Sequence, residues 1–349
     1  MAYTKKETVI NKLKEGDDFE NKMFDNFRND KEVVLEAVKK SAGALHYSSN
    51  ELQNDKEVVL EAVSRSGYAL KAASFELKND KEVVLEAVRG NIFALQYAST
   101  RLRDDDEIAK LVMTKPEAGS VFESLNLRLR DNKEIVMGFI NNTKYKDNAK
   151  SISLNMGYQC KSDKEIMSTL MDICHECIYN ANWNILEDKD FILEKMKNER
   201  IGLEYISESL RDDKDVVLEA IKRFSRDLEY ASEKLRNDKD VVLEAVKKEG
   251  SSLKYASDTL KGDKEVVLEA VKQNGWSMQY ASERLKNDKE VVLEAIRENS
   301  SSLTFASKEI RELCKDEKPI IIMEKAVQFE QLQKSMQRNN VVQPKKLKL

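Results

Sequence analysis

Ten residues, NDKEVVLEAV, open at Asn29, recur unchanged at Asn54 and Asn79, and recur at Asn287 with Ile296 in the last place. A chain that rewrites one short helical segment at a fixed interval is constrained to an array in which each copy packs on the next. With the Asp of DKEVVLEAV as position 1, equivalents fall at Lys5, Asp30, Asp55, Asp80, Asp105, Asn132, Asp163, Asp188, Asp213, Asp238, Asp263 and Asp288. The step is 25 residues except for two, of 27 and 31. Twelve repeats therefore span residues 5–312, and a degenerate one follows near Asp316.

Each repeat reads as two short helices. Asn29 with Glu32 has the spacing of a capping box, and Asn54/Glu57, Asn79/Glu82, Asn237/Asp240 and Asn287/Glu290 repeat or approximate it. Positions 4, 5, 6, 8 and 9 are apolar (Val33, Val34, Leu35, Ala37 and Val38), so the helix must be covered on most sides. A link rich in Gly, Ser and Asn leads to a second helix. Its stripe lies at positions 16, 19, 20 and 23, as in Leu45, Ser48, Ser49 and Leu52. Position 18 is a recurring Tyr, which predicts a ring between neighbouring repeats with its hydroxyl at the rim. Helices shorter than about 12 residues are marginal alone in water, so stability must come from stacking. The fold class expected is all-α, a curved or superhelical α-solenoid of about twelve two-helix repeats, on the order of 100 Å long at roughly 8–10 Å per packed helix.

Composition agrees. The 349 residues contain only 3 prolines, which suits helices, and no apolar run is long enough to cross a membrane. The first residues lack the apolar core of a secretory signal, and 4 cysteines make no disulfide framework. A cytoplasmic setting is expected, or a host cytosol for a delivered effector. Four segments follow from the register: regular repeats with an N-terminal cap at 1–104, irregular repeats with two insertions at 105–187, regular repeats at 188–312, and a capping helix with a basic tail at 313–349.

The pattern DKEVVLEAV…LxYASxxLKN resembles a helical tandem-repeat family of unknown function that occurs in bacteria, protists and large DNA viruses. The resemblance runs over 5–312 and implies an all-helical fold and no assigned activity. Pro116, Gly119 and the stretch NNTKYKDNAKS depart from its pattern.

Enzyme chemistry finds no motif. There is no phosphate-binding glycine loop, GxSxG or HExxH. His46 sits at position 17, where Lys71, Gln96, Glu204, Lys254 and Thr304 also stand, a variable and solvated place. No catalytic residue and no cofactor is expected. Cys174-His175-Glu176-Cys177 holds a CxxC and is the one weak metal candidate, through Cys174 and Cys177. Core packing and a redox role stand beside it, and Cys160 falls in the core position 23.

For partners, a basic ladder of Lys or Arg at positions 2 and 24 suggests nucleic acid as the alternative. Two facts weigh against it: a cation suits a helix C-terminus, and residues 1–330 carry a net −9. A protein partner is the leading expectation. Positions 12–15, 17, 21 and 22 vary between repeats, and several hold aromatics: Tyr68, Phe93 and Trp276 at position 14, Phe75 and Trp183 at position 21. Local packing of each ring is the plainer alternative. A second candidate is the loop expected around Asn141, Lys144, Tyr145 and Lys146. The tail QPKKLKL at 343–349 is a basic segment suited to an acidic surface or to nuclear import. The sequence leaves the oligomeric state open.

Overall fold

In a computed structural model, residues 2–16, 19–20, 22–143, 145–198, 201–315 and 318–340 are described. Among them every regular element is helical. The chain is all-α and built of stacked repeats, as an α-solenoid is. It forms two compact bodies, 1–185 and 186–349, whose boundary falls inside the short helix Trp183–Leu186. The position near Asp316 and the tail at 343–349 lie outside the described residues.

Each regular repeat has a long α-helix such as Lys56–Arg65, then the second helix in two pieces. The first piece is a 3₁₀-helix (Gly67–Ala72) and the second a single turn, α-helical as at Asn50–Gln53 or Glu233–Arg236 and 3₁₀ at Leu77–Asn79 and Leu102–Asp104. The division falls at positions 19 and 20, which are extended, as at Ser48 and Ser49. The Ser at position 20 explains the break. Ser49 Oγ accepts from the Leu52 amide and caps the α-turn, while its hydroxyl donates to Asn29 Oδ1 at 2.6 Å, one repeat back. Ser74, Ser99, Ser257 and Ser307 make the same pair of bonds with Asn54, Asn79, Asn237 and Asn287.

Those asparagines are therefore not the N-caps of the long helices, which corrects the capping-box expectation. Asp at position 1 is the cap: Asp55 Oδ1 accepts from the Glu57 and Val58 amides at 3.1 and 3.2 Å. Asn54 instead ends the preceding α-turn, its amide donating to the Asn50 and Glu51 carbonyls. The spacing rule failed because Asn and Asp are adjacent and both cap well. The free side-chain oxygen of Asp decides between them, because it faces the lysine of the previous repeat. Lys31 Nζ reaches Asp55 Oδ2 at 2.7 Å and Glu57 at 2.8 Å, and Lys56, Lys81, Lys239 and Lys264 repeat the bridge to the next Asp and Glu.

Burial supplies the larger energy. Positions 4, 5, 8 and 9 are closed to solvent in every regular repeat, as Val241, Val242, Ala245 and Val246 show. A buried Val or Leu is worth about 2 kcal/mol, against roughly 0–1 for an exposed ion pair. Position 6 is half exposed (Leu35, Leu60, Leu85), and only Leu293 is fully covered, because the long terminal helix Pro319–Asn340 packs over Lys289–Glu298. Backbones also meet across repeats. The position-20 amide donates to the position-24 carbonyl of the preceding repeat, from Ser49 to Arg28 at 2.8 Å through to Ser307 to Lys286 at 2.9 Å. At position 13, Gly67, Gly250 and Gly275 touch the Ala87, Ala270 and Ala295 carbonyls so closely that no Cβ fits.

Two outcomes test this packing. Gly275→Ala should lower the urea midpoint of the full chain, with overpacking costing about 1–3 kcal/mol, whereas Gly43→Ala, whose Cβ would make only an ordinary contact with Ser41 Oγ at 3.6 Å, should leave it unchanged. Asp263→Ala should cost about 1 kcal/mol through the lost cap, and Asp263→Asn, which still caps, distinctly less. Burial raises the Asp263 carboxyl, but Lys239 and the Val266 and Glu265 amides outweigh it and hold it below the usual range. Its stabilisation is therefore present above about pH 4 and lost as pH falls further, so the Asp263→Asn difference should shrink in acid.

Candidate interaction surface

The position-14 rings stand on the 3₁₀-helices. Tyr68 packs edge-on against Tyr97, and Trp276 against Phe305, each the position-18 ring of the next repeat at 5.6 and 5.5 Å between centroids. Tyr68 and Trp276 thus keep one face on a neighbour, and they and Phe93 leave roughly half their surface to solvent. A groove beside Tyr68 is lined by Ala42, Gly43, His46, Ala69 and Lys71.

Position 21 differs. It directly follows the position-20 residue that heads the last turn of each repeat, and Phe75 is 77% and Trp183 64% exposed. Aligning repeats on the backbone bond from position 20 to position 24 puts two further residues in this column. The Asn126-to-Arg103 and Gly157-to-Arg130 bonds make Leu127, 60% exposed, and Tyr158, 58% exposed, its next members after Thr100. Counting along the sequence missed both, because the insertions shift the register before these α-turns. The signal was there in the endings LRLR and YQCK, which match FELK and TRLR. Leu154 and Tyr179, at position 17 of the repeats that carry Tyr158 and Trp183, are exposed as well.

The expected loop is mostly helix. Asn141 ends the helix Lys133–Asn141, and Lys146 begins Lys146–Asn155, so of that set only Tyr145 lies between helices, exposed to solvent; Lys144 is outside the described residues. The longer insertion lets a full α-helix replace the 3₁₀-helix, and its Ala149 and Ile152 fill the core that Ala and Leu fill elsewhere.

Cys174 and Cys177 are buried, Cys174 as the extended residue that ends Lys164–Ile173 and Cys177 in the following 3₁₀-helix. Burial pushes the Cys177 thiol up to about 11 and, with the Asp131 and Asp163 charges, Cys160 up to about 12, which suits apolar packing. Among the described residues no group of three His, Cys, Asp or Glu side chains is placed to hold a metal, and no helix is long and apolar enough to cross a membrane.

Several position-24 cations face inward to carbonyls, and Lys261 and Lys286 pair with Asp258 and Glu283 of their own turns. Arg211 Nε donates to the Leu203 and Ile206 oxygens, and Arg130 Nη1 to the Asn155 oxygen at 2.6 Å. The position-2 lysines are bridged to carboxylates as described above. Neither set presents the open ladder that the nucleic-acid alternative needs.

A model for one family, described as Domain of unknown function (DUF4116), matches residues 22–53, 30–78, 55–103, 80–117, 188–227, 213–261 and 263–311, more than half of the chain. The chain belongs to this family. Searches of curated proteins and of solved structures each found no match. The DUF4116 matches skip 118–187, the irregular repeats that carry Leu127, Tyr158 and Trp183.

One buried carboxylate stands apart. Asp227 occupies position 15, which is Ala, Ser or, in the repeat before it, Gly202, and accepts from the Leu203 amide at 2.9 Å. Burial pushes its carboxyl up to about 6, Glu204 adds to this, and the Leu203 amide opposes it. The folded chain thus favours the protonated form, and stability is lost as pH rises from the ordinary carboxylate range through about 6. Asp227→Asn, which keeps the acceptor, should raise the melting temperature at pH 7.5, by an amount equivalent to about 1–3 kcal/mol, and much less at pH 4.5. A gain equal at both pH values would show that the charge is not what destabilises.

Proposed function

We propose that the chain is a non-enzymatic interaction protein that binds another macromolecule, a protein, along its repeat surface. One observation carries the reading. Large apolar residues stand exposed at variable positions whose counterparts in sister repeats are polar, as Trp183 and Phe75 stand where Glu208, Glu233, Asp258 and Glu283 do. Packing gives no reason for such residues, while aromatic side chains dominate binding energy in protein interfaces. A scaffold, effector or inhibitor in a cytosolic compartment fits this reading and the occurrence of similar repeats.

The test is cross-linked capture from the native host with the full chain and with Trp183→Ala and Trp276→Ala. Loss of a captured protein in either variant, with melting unchanged, supports the reading. If both variants retain every partner, these residues are not the contact. Binding to single-stranded RNA that weakens steeply with salt would favour a nucleic-acid array instead.

A further inference from the structure

We infer that Cys174 and Cys177 form a reversible intramolecular disulfide, a redox-responsive clasp in the irregular repeats. The two residues hold positions 12 and 15 of their repeat. The Cys177 amide donates to the Cys174 carbonyl at 3.0 Å, closing the turn that Ala69 and Ser66 close at 2.9 Å. Cys174 has φ −150° and ψ 106°, and Ser66 has −151° and 111°, so the backbone here is that of a regular repeat. A hydrogen-bonded turn of this kind keeps its end Cα atoms within about 7 Å, and a disulfide closes at about 4.4–6.8 Å. Both side chains are buried. Burial raises the Cys177 thiol most; the Ser153 hydroxyl lowers it, the neighbouring Cys174 thiol raises it by charge and hydrogen bonding, and Lys150 lowers it. Joining the two sulfurs therefore orders little that the fold has not already ordered.

Packing does not ask for cysteine at either place. Position 15 is filled by Ala69 and Ala94, or by Ser252. Position 12 holds Ser41, Ser66 and Asn274, none of them buried, whereas Cys174 is 2% exposed. A third departure from the repeat meets these two. The helix Lys146–Asn155, which the longer insertion builds, packs on the 3₁₀-helix His175–Asn180 that holds Cys177. It brings the Ser153 hydroxyl to Cys177, and its Lys150 bridges Glu176 at 2.6 Å, inside the CxxC itself. Both groups favour a thiolate at Cys177 against burial. Cys160 has the opposite surroundings, where the Asp131 and Asp163 charges add to burial. Three departures thus converge on one pair of sulfurs, in the segment that the family model skips.

The oxidant is a small disulfide such as glutathione disulfide. Cys174 ends the helix Lys164–Ile173 beside exposed Asp172, and a helix end opens locally at low cost. Its thiolate attacks one glutathione sulfur, and one glutathione leaves as the thiol. The Cys177 thiolate then displaces the second glutathione and forms the Cys174–Cys177 bond. Two electrons pass from the protein to glutathione, and the two protein protons end on the two glutathione thiols. Burial keeps both thiols protonated at rest, which slows the exchange without opposing its outcome, so the clasp answers sustained oxidising conditions. Once closed, it ties the end of the long helix to the 3₁₀-helix that carries exposed Tyr179.

The test incubates the folded full chain with mixtures of oxidised and reduced glutathione, quenches with acid, alkylates free thiols and reads the digest by mass spectrometry. The peptide holding Cys174 and Cys177 should become lighter by a pair of hydrogens and resist alkylation, dithiothreitol should reverse this, and Cys160 and Cys314 should stay free. At one glutathione ratio, the disulfide should be at least tenfold more populated relative to the dithiol in the folded chain than in concentrated urea, and the oxidised chain should melt higher. Cysteines that only fill the core would show no such preference. Cys174→Ser and Cys177→Ala place at positions 12 and 15 residues that other repeats hold there, so both variants should fold and form no intramolecular disulfide. Four free thiols at every ratio, glutathione left attached to either cysteine, or a disulfide no more favoured in the folded chain than in urea overturns the proposal.

Discussion

The carboxylate at the head of each long helix is the contact on which the repeat geometry depends. One oxygen of Asp55 closes the open amides of its own helix, and the other takes the lysine of the helix before it. Each long helix is thereby started and aligned by one residue, so the apolar positions 4, 5, 8 and 9 meet their counterparts in the next repeat in register. The ion pairs themselves are solvated and worth little. Their role is positional, while the buried Val, Ala and Leu side chains supply the stability.

From that alignment the rest follows by close approach. With long helices fixed, the chain returns through a 3₁₀-helix, and in three regular repeats its first residue, Gly67, Gly250 or Gly275, passes so close to a carbonyl of the next repeat that only glycine fits. Ser at position 20 then ends the 3₁₀-helix and caps a single α-turn, and its amide bonds the α-turn of the preceding repeat. What remains open to variation is set by this framework. Position 21 projects from the start of each α-turn and touches nothing the fold needs, so it is free to carry Trp183 in one repeat and Glu208 in the next.

Much of this was legible in the sequence. The interval of 25, the apolar positions 4, 5, 8 and 9, and the core roles of Leu45 and Cys160 follow from pattern alone. Capping was misplaced by one residue because Asn and Asp are near-equal caps, and only their contacts with the neighbouring repeat separate them. The split second helix was hidden because 3₁₀- and α-helices show similar apolar spacing over six residues. The loop expected around Tyr145 proved mostly helical because its polar letters cover a surface helix with Ala149 and Ile152 inside. Leu127 and Tyr158 were missed for a related reason. Insertions displace the count, and the register has to be picked up again from the endings LRLR and YQCK, as the placing of Cys160 at position 23 already implies.

Hydrogen–deuterium exchange tests the central claim most directly, read at the position-20 amides of the full chain. Ser74, Ser99, Ser232, Ser257 and Ser307 lie near the surface at the ends of short elements, yet each amide donates to a carbonyl of the preceding repeat at 2.9–3.0 Å. If stacking in register holds the repeats, these amides exchange orders of magnitude more slowly than the exposed amides of the same α-turns. Exchange at the rate of an unstructured segment would show that the repeats are not joined in this way.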